Sequence, residues 1–368
     1  MTINEERLLN NFLSYLRIDS ESGNELEMAK RLVDDLTALG FLVEQQPVPS
    51  ELSNGFNVYA KLEGQLNDSV LLSCHMDTVT PGNGIEPIVE DGVVRSKGDT
   101  ILGADDKSGI AAIIEAIQSI QEKKLPHKTI EIAFTVFEEG GLHGSRAFKL
   151  DQVSSDKALV LDSGGPIGTI ITQAPGQQTL QVTIQGKPAH AGLAPEEGIN
   201  ALTVAAAAIN TMNLGRIDFE TTANIGTVNG GSATNIVMPE VILKAEARSL
   251  NSDKLTSQVE HMINRFEDAA YKHGAKLLID SEREYDAYQI AEDDPLVQSI
   301  AKAFESVSTQ PQTKSTGGGS DANIFNEKGL KTVNVSTGMS KVHTTDEFIT
   351  IDDLNQVTRF VGAFLTAQ

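Results

Sequence analysis

Short aliphatic runs that stop at an acidic or imidazole side chain constrain this chain more than any other feature. Residues 70–74 run into His75, residues 129–137 into Glu138 and Glu139, and residues 158–161 into Asp162. Runs this brief and this rich in Val, Ile and Leu read as buried strands. Between the first two a helix is expected over 106–120, with Ile110, Ile113, Ile114 and Ile117 on one side. Alternating strands and helices predict an α/β fold class, with a mostly parallel sheet flanked by helices. In such sheets functional groups gather beyond the carboxyl ends of strands. His75, Glu138, Glu139 and Asp162 all hold that kind of position.

The rest of the chain divides around this pattern. Leu8, Leu9, Phe12, Leu13 and Leu16 fall at helical spacing over 4–18. Ser22-Gly23-Asn24-Glu25 resembles a capping box for a second helix that runs to Leu39 and stops at Gly40. Strands are expected over 41–45 and 57–62, and Asp91-Gly92 marks a hairpin between 85–89 and 93–95. The rhythm changes near Pro175-Gly176. A strand at 179–185, a helix at 196–212, strands at 224–229 and 241–248, a helix at 252–272 and a strand at 276–279 follow. That β-α-β-β-α-β order is the ferredoxin-like plan. After Asp293-Asp294-Pro295 the α/β rhythm returns, with a Gly-rich turn at Gly317-Gly318-Gly319, a strand at 332–335 and a last helix at 352–366. The expected organisation is a discontinuous main domain, 1–176 and 291–368, with a lid domain inserted at 177–290.

Composition narrows the function classes. A length of 368 residues favours two domains. A net charge of −22 repels nucleic acid and anionic membrane surfaces, so neither is an expected partner. No apolar run approaches the roughly 18 residues of a membrane span. The acidic start, Met1-Thr2-Ile3-Asn4-Glu5-Glu6, does not read as a signal peptide. Cys74 is the one cysteine, which excludes an internal disulfide and suits a reducing cytoplasm.

Five places carry metal-capable side chains: His75-Met76-Asp77, Gly103-Ala104-Asp105-Asp106-Lys107, Phe137-Glu138-Glu139-Gly140, Leu161-Asp162-Ser163 and Val342-His343-Thr344. Each has an ordinary explanation. A lone histidine is usually core or surface, Asp-Asp before a helix is explained by a cap, and Glu-Glu after a strand by a solvated loop. Cys74 reads as a small buried residue, and His127, His143, His261 and His273 as solvated surface. His75 and Asp77 lie two apart, so both can face one spot, with the carboxylate steadying the imidazole.

Taken in order, these motifs resemble the zinc-dependent exopeptidases and amidohydrolases that include peptidase T, carboxypeptidase G and aminoacylase. The resemblance covers nearly the whole chain and is nearest to peptidase T, the tripeptide aminopeptidases. Further matches are Gly186-Lys187-Pro188-Ala189-His190-Ala191-Gly192, Gly318-Gly319-Ser320-Asp321 and Val342-His343. One departure is Phe137, where relatives often carry Asp; the chain is also short for peptidase T.

The resemblance implies roles. Asp105 would bridge two zinc ions, with cobalt or manganese as substitutes; His75 and Asp162 would complete one site, Glu139 and His343 the other. Asp77 would orient His75, and Glu138 would be the general base. The peptide bond Asp105-Asp106 would be cis. In the lid, His190 would donate to the developing oxyanion, and Asn235 and Arg248 would hold the substrate together with Gly318 and Gly319. For Arg248 an ion pair with Glu246 or Glu220 is the competing explanation, and for the glycines a plain turn. The function implied is hydrolysis of short peptides, foremost as a tripeptide aminopeptidase. A carboxypeptidase or an N-acyl amino acid deacylase on the same centre is the alternative, and a non-catalytic metal-stabilised scaffold would be favoured if a ligand or Glu138 were missing. The lid face could pair with a second copy to make a homodimer.

Overall fold

The computed structural model describes residues 2–367, which cluster into two compact units. The second unit is Gln173–Tyr288 together with Thr316–Gly319, and the first is the chain on either side. Gly318 and Gly319, expected in the main domain, therefore cluster with the inserted unit.

In the first unit the strands lie in the order Leu42–Pro47, Phe56–Leu62, Thr129–Thr135, Ser69–His75, Lys157–Ser163, Lys331–Ser336, Thr169–Ala174. The three central pairings are parallel and the outer ones antiparallel. Strands buried on both faces need apolar side chains on both, and Val70, Leu71 and Leu72 have no exposed surface. The helix Ala104–Glu122 is buried along most of its length, between the sheet and the helices Glu5–Leu16 and Ile351–Thr366. Register fixes the site: His75 pairs with Thr135, so two central strands end side by side. The strand expected to reach Phe137 stops at Thr135, and the glutamate pair falls in the turn beyond it.

The inserted unit is one antiparallel sheet with the main strands ordered Thr221–Gly230, Glu240–Ser249, Gly176–Gln185, Lys276–Tyr285. Along the chain these are second, third, first and fourth, the ferredoxin-like arrangement. Leu180, Val182 and Ile184 alternate into its core, where Val241, Leu243, Val259, Met262 and Phe266 meet them. Each such side chain contributes about 1.5–3 kcal/mol on burial.

Three further expectations need correction. The helix expected over 196–212 is Ala201–Ile209, because Asn200 caps it, accepting from the N–H groups of Leu202 and Thr203. The capping box at 22–25 does not form: Glu25 precedes the helix Leu26–Ala38 without a side-chain cap bond, and its carboxylate goes elsewhere. His127 is buried at 6% exposure, with Nδ1 at 2.7 Å from the Lys128 carbonyl. No helix among the described residues is long and apolar enough to cross a membrane.

Candidate metal centre

Three overlapping groups of donor atoms form where the central strands end, each with ligand atoms within 4.8 Å of one another: His75, Asp105 and Asp162; Asp105, Glu139 and His343; and His75, Glu138 and Glu139. Asp105 belongs to the first two through different oxygens. Its Oδ1 lies 2.9 Å from His75 Nε2 and its Oδ2 lies 3.3 Å from His343 Nε2. Asp162 Oδ1 is 3.6 Å from His75 Nε2, and Glu139 Oε1 is 2.8 Å from His343 Nε2. The fold thus brings together all five residues expected to bind metal. Asp106, next in the chain, belongs to none of these groups, and the Asp105-Asp106 peptide bond is cis.

The backbone around these ligands is held by side chains. Asp77 is buried and lies two residues beyond the strand that ends at His75. Its Oδ1 accepts from the Glu138 N–H at 2.9 Å, and its Oδ2 from the Glu139 N–H at 3.1 Å and the Ser22 hydroxyl at 2.6 Å. His75 Nδ1 meets the Asp77 backbone carbonyl at 3.0 Å and the carboxylate only at 3.4 Å. Asp77 thus reaches His75 from just past the end of the strand. Asp162 is bracketed by Asn334, which accepts from its N–H at 3.0 Å and donates to its carbonyl at 3.1 Å. Asn57, Glu25 and Glu347 hold neighbouring loop N–H groups in the same way. None of these four was singled out as functional from sequence. A signal existed for Asn334, a polar residue between Val333 and Val335 in a central strand.

Electrostatics follow from crowding. Four carboxylates, Asp105, Glu138, Glu139 and Asp162, face two imidazoles. Burial pushes Asp162 up to about 7, with Asp105 and Glu139 adding to the rise and His75 opposing it. Burial raises Glu138 well above the usual carboxyl range, and Asp162, Glu139 and Asp321 add to that. Asp105 and Glu139 push His343 up to about 10. Burial works against a charge on His75, yet Asp105, Asp162 and Asp77 raise it. Such a cluster holds protons because its negative charge demands compensation, and divalent cations supply that compensation. The donor set fits them: imidazole nitrogen plus carboxylate oxygen is a zinc-type set. Cys74 is buried and in none of these groups, and burial followed by the Asp106 charge raises its thiol.

The remaining candidates lie in the second unit. His190 is exposed, and its Nδ1 accepts from the Gly192 and Leu193 N–H groups at 3.1 and 3.2 Å. Asn235 accepts the Ala191 N–H at its backbone carbonyl. Arg248 forms the competing ion pair, with Nη2 at 3.0 Å from Glu246 Oε2, while Glu220 pairs with Lys254. Gly318 leaves open space except for Arg248 Nη1, 4.0 Å from where a Cβ would sit. At Gly319 a Cβ would fall 2.3–2.6 Å from the Tyr285 side chain, so close packing alone requires glycine there.

Residues 71–367 match the family described as peptidase family M20/M25/M40. The chain is 42% identical over 365 residues to the uncharacterized protein YqjE of Bacillus subtilis (strain 168), across 99% of this chain and 98% of that one. It is similar to the solved aminopeptidase PepT from Bacillus cereus ATCC 10987, with TM-score 0.91 and 41% identity over 99% and 98% of the two chains. A tripeptidase from Staphylococcus aureus subsp. aureus mu50 gives TM-score 0.96 and 38% identity over 100% and 99%.

Proposed function

The chain belongs to peptidase family M20/M25/M40 and is an exopeptidase of the metallopeptidase kind, and on that premise we propose that it releases the amino-terminal residue of tripeptides at a pair of zinc ions. The observation that carries the two-ion part is Asp105, which offers one oxygen to each of two donor groups. His75 and Asp162 would hold one ion, Glu139 and His343 the other; cobalt or manganese would suit the same donors. Bound there, the ions would polarise the scissile carbonyl and make water a stronger acid.

The remaining steps fall to the chain's own side chains. Glu138 takes a proton from the attacking water and hands it to the departing amine. Asp77 pins the Glu138 and Glu139 N–H groups, so one carboxylate stays aimed for proton transfer while its neighbour serves as a ligand. His190 accepts at Nδ1, so its proton sits on Nε2, ready to donate to the substrate's carbonyl oxygen as charge develops. Asn235, Arg248, Gly318 and Gly319 hold the peptide; a terminal carboxylate would compete with Glu246 for the Arg248 guanidinium.

Similarity at 41% and 38% identity to an aminopeptidase and a tripeptidase supports this reading over a carboxypeptidase or an N-acyl amino acid deacylase. The test is turnover of free tripeptides, N-blocked dipeptides and N-acyl amino acids by metal-free and zinc-loaded protein. Zinc-dependent release of the first residue from free tripeptides is the expected result. Cleavage confined to N-blocked substrates would overturn the aminopeptidase assignment.

A further inference from the structure

Glu347 stands four residues after His343 and is 1% exposed. Its carboxylate accepts three backbone N–H groups of one loop. Oε2 takes those of Leu102 and Gly103, each at 2.8 Å, and Oε1 takes that of Asp105 at 3.0 Å. These donors enter the helix Ala104–Glu122, whose start is irregular: Asp105 has φ −78 and ψ 103, and Asp106 has φ −119 and ψ 29. A helix start leaves N–H groups without intrahelical partners. Here a buried carboxylate from a segment more than 240 residues away satisfies them, with charge-assisted bonds.

The other end of the connection is equally constrained. Ser340 and Phe348 exchange backbone hydrogen bonds at 2.9 and 3.0 Å, so residues 341–347 form a closed excursion. His343 sits in that excursion at φ +63, with its ring half exposed. Little packing holds such a ring. The chain from His343 to Glu347, and the Glu347 bond to the Asp105 N–H, form a short path between two side chains of one donor group.

We propose that Glu347 is a positioning residue, which ties the His343 loop to the Asp105 loop and so sets the separation of two donors in the Asp105–Glu139–His343 group. This role rests on that group binding a metal ion. It assigns Glu347 no contact with metal or substrate.

Glu347→Gln keeps the side chain's shape. Its amide oxygen can still accept from Leu102 and Gly103, but its NH₂ then opposes the Asp105 N–H, donor against donor. Apo protein titrated with Co²⁺, followed by calorimetry and visible absorption, should take up two equivalents in the wild type. In Glu347→Gln the equivalent that His343→Ala also weakens should bind about ten- to a hundredfold more weakly. Adding Glu347→Gln to His343→Ala should then change Co²⁺ binding little further. Turnover should fall in kcat with KM nearly unmoved. Glu347→Ala should exceed Glu347→Gln in effect; if it does not fold, the Gln variant carries the test, with circular dichroism as the folding check. Wild-type Co²⁺ isotherms in Glu347→Gln, or an additive effect in the double variant, would overturn the proposal. A wild-type protein that takes up no second equivalent overturns the two-ion centre itself, and this role with it, whichever peptides are cleaved.

Discussion

Four consecutive backbone N–H groups, Val136 to Glu139, are taken by side chains and not by the sheet. Asn57 accepts the first at 3.0 Å, Glu25 the second at 3.0 Å, and Asp77 the last two. Phe137 among them has φ +52, a region that costs a non-glycine residue roughly 1–2 kcal/mol. The surrounding bonds offset that cost and fix the backbone of two adjacent glutamates, of which Glu139 alone shares a donor group with Asp105 and His343. Their duties should therefore separate by mutation. Glu138→Ala is expected to bind two metal equivalents and lose about 10²–10⁴ in kcat. His75→Ala is expected to lose one equivalent and most turnover while staying folded. Metal analysis of the purified variants beside kcat measures both; near-normal turnover in Glu138→Ala would remove the base assignment. At this scale the metal-capable residues were legible in the sequence, and the resemblance to a known family told the donors from their neighbours. Their supports were not legible: Ser22 and Glu25 read as a helix cap, and the fold uses them on Asp77 and on the Phe137 turn.

Whole strands were the easiest elements to read, since short aliphatic runs have few other uses. The strand Thr129–Thr135 nevertheless carries a charge inside it. Glu131 is buried, and it accepts from the Ser154 N–H at 2.9 Å, the Ser155 N–H at 2.7 Å and the Tyr59 hydroxyl at 2.5 Å. Burial alone would raise its carboxyl, but these donors outweigh burial and hold it below the ordinary value. A carboxyl depressed by folding stabilises the native state above its unfolded pKa and loses that contribution as pH falls through the folded one. Glu131→Gln should thus cost about 1–3 kcal/mol at neutral pH. The gap to wild type should close as pH falls below about 4. Denaturant midpoints of both proteins across pH test this, and a gap independent of pH would refute it. Helix ends were read less well. The run over 196–212 looks helical in composition, but Gly198 and Asn200 interrupt it. A Cβ at Gly198 would lie 2.8 Å from Val237, and Asn200 caps the helix that follows.

The molecule as a whole joins a discontinuous α/β unit to an inserted ferredoxin-like unit, and the candidate ligands all belong to the first. A metal ion that binds only the folded form adds about 2.7 kcal/mol at a hundred times its Kd. For a unit of this size that corresponds to a melting shift of several degrees. Calorimetry with a chelator, and again after zinc is restored, should move the melting of the first unit and leave that of the second in place. Identical curves would count against a metal centre. The alternation of strand and helix and the insertion near Pro175 follow from residue type and spacing, whereas the resemblance to a known family told the metal donors from the other metal-capable side chains. Hydrophobic periodicity is local, and few side chains bind metal. The partners of Asp77, Glu25, Asn334 and Glu347 follow from the fold alone. They grip backbone N–H groups, which are the same in every residue but proline and leave no mark in a sequence. Folding selects which of them meet a side-chain acceptor, by bringing together segments that lie from 61 to 242 residues apart.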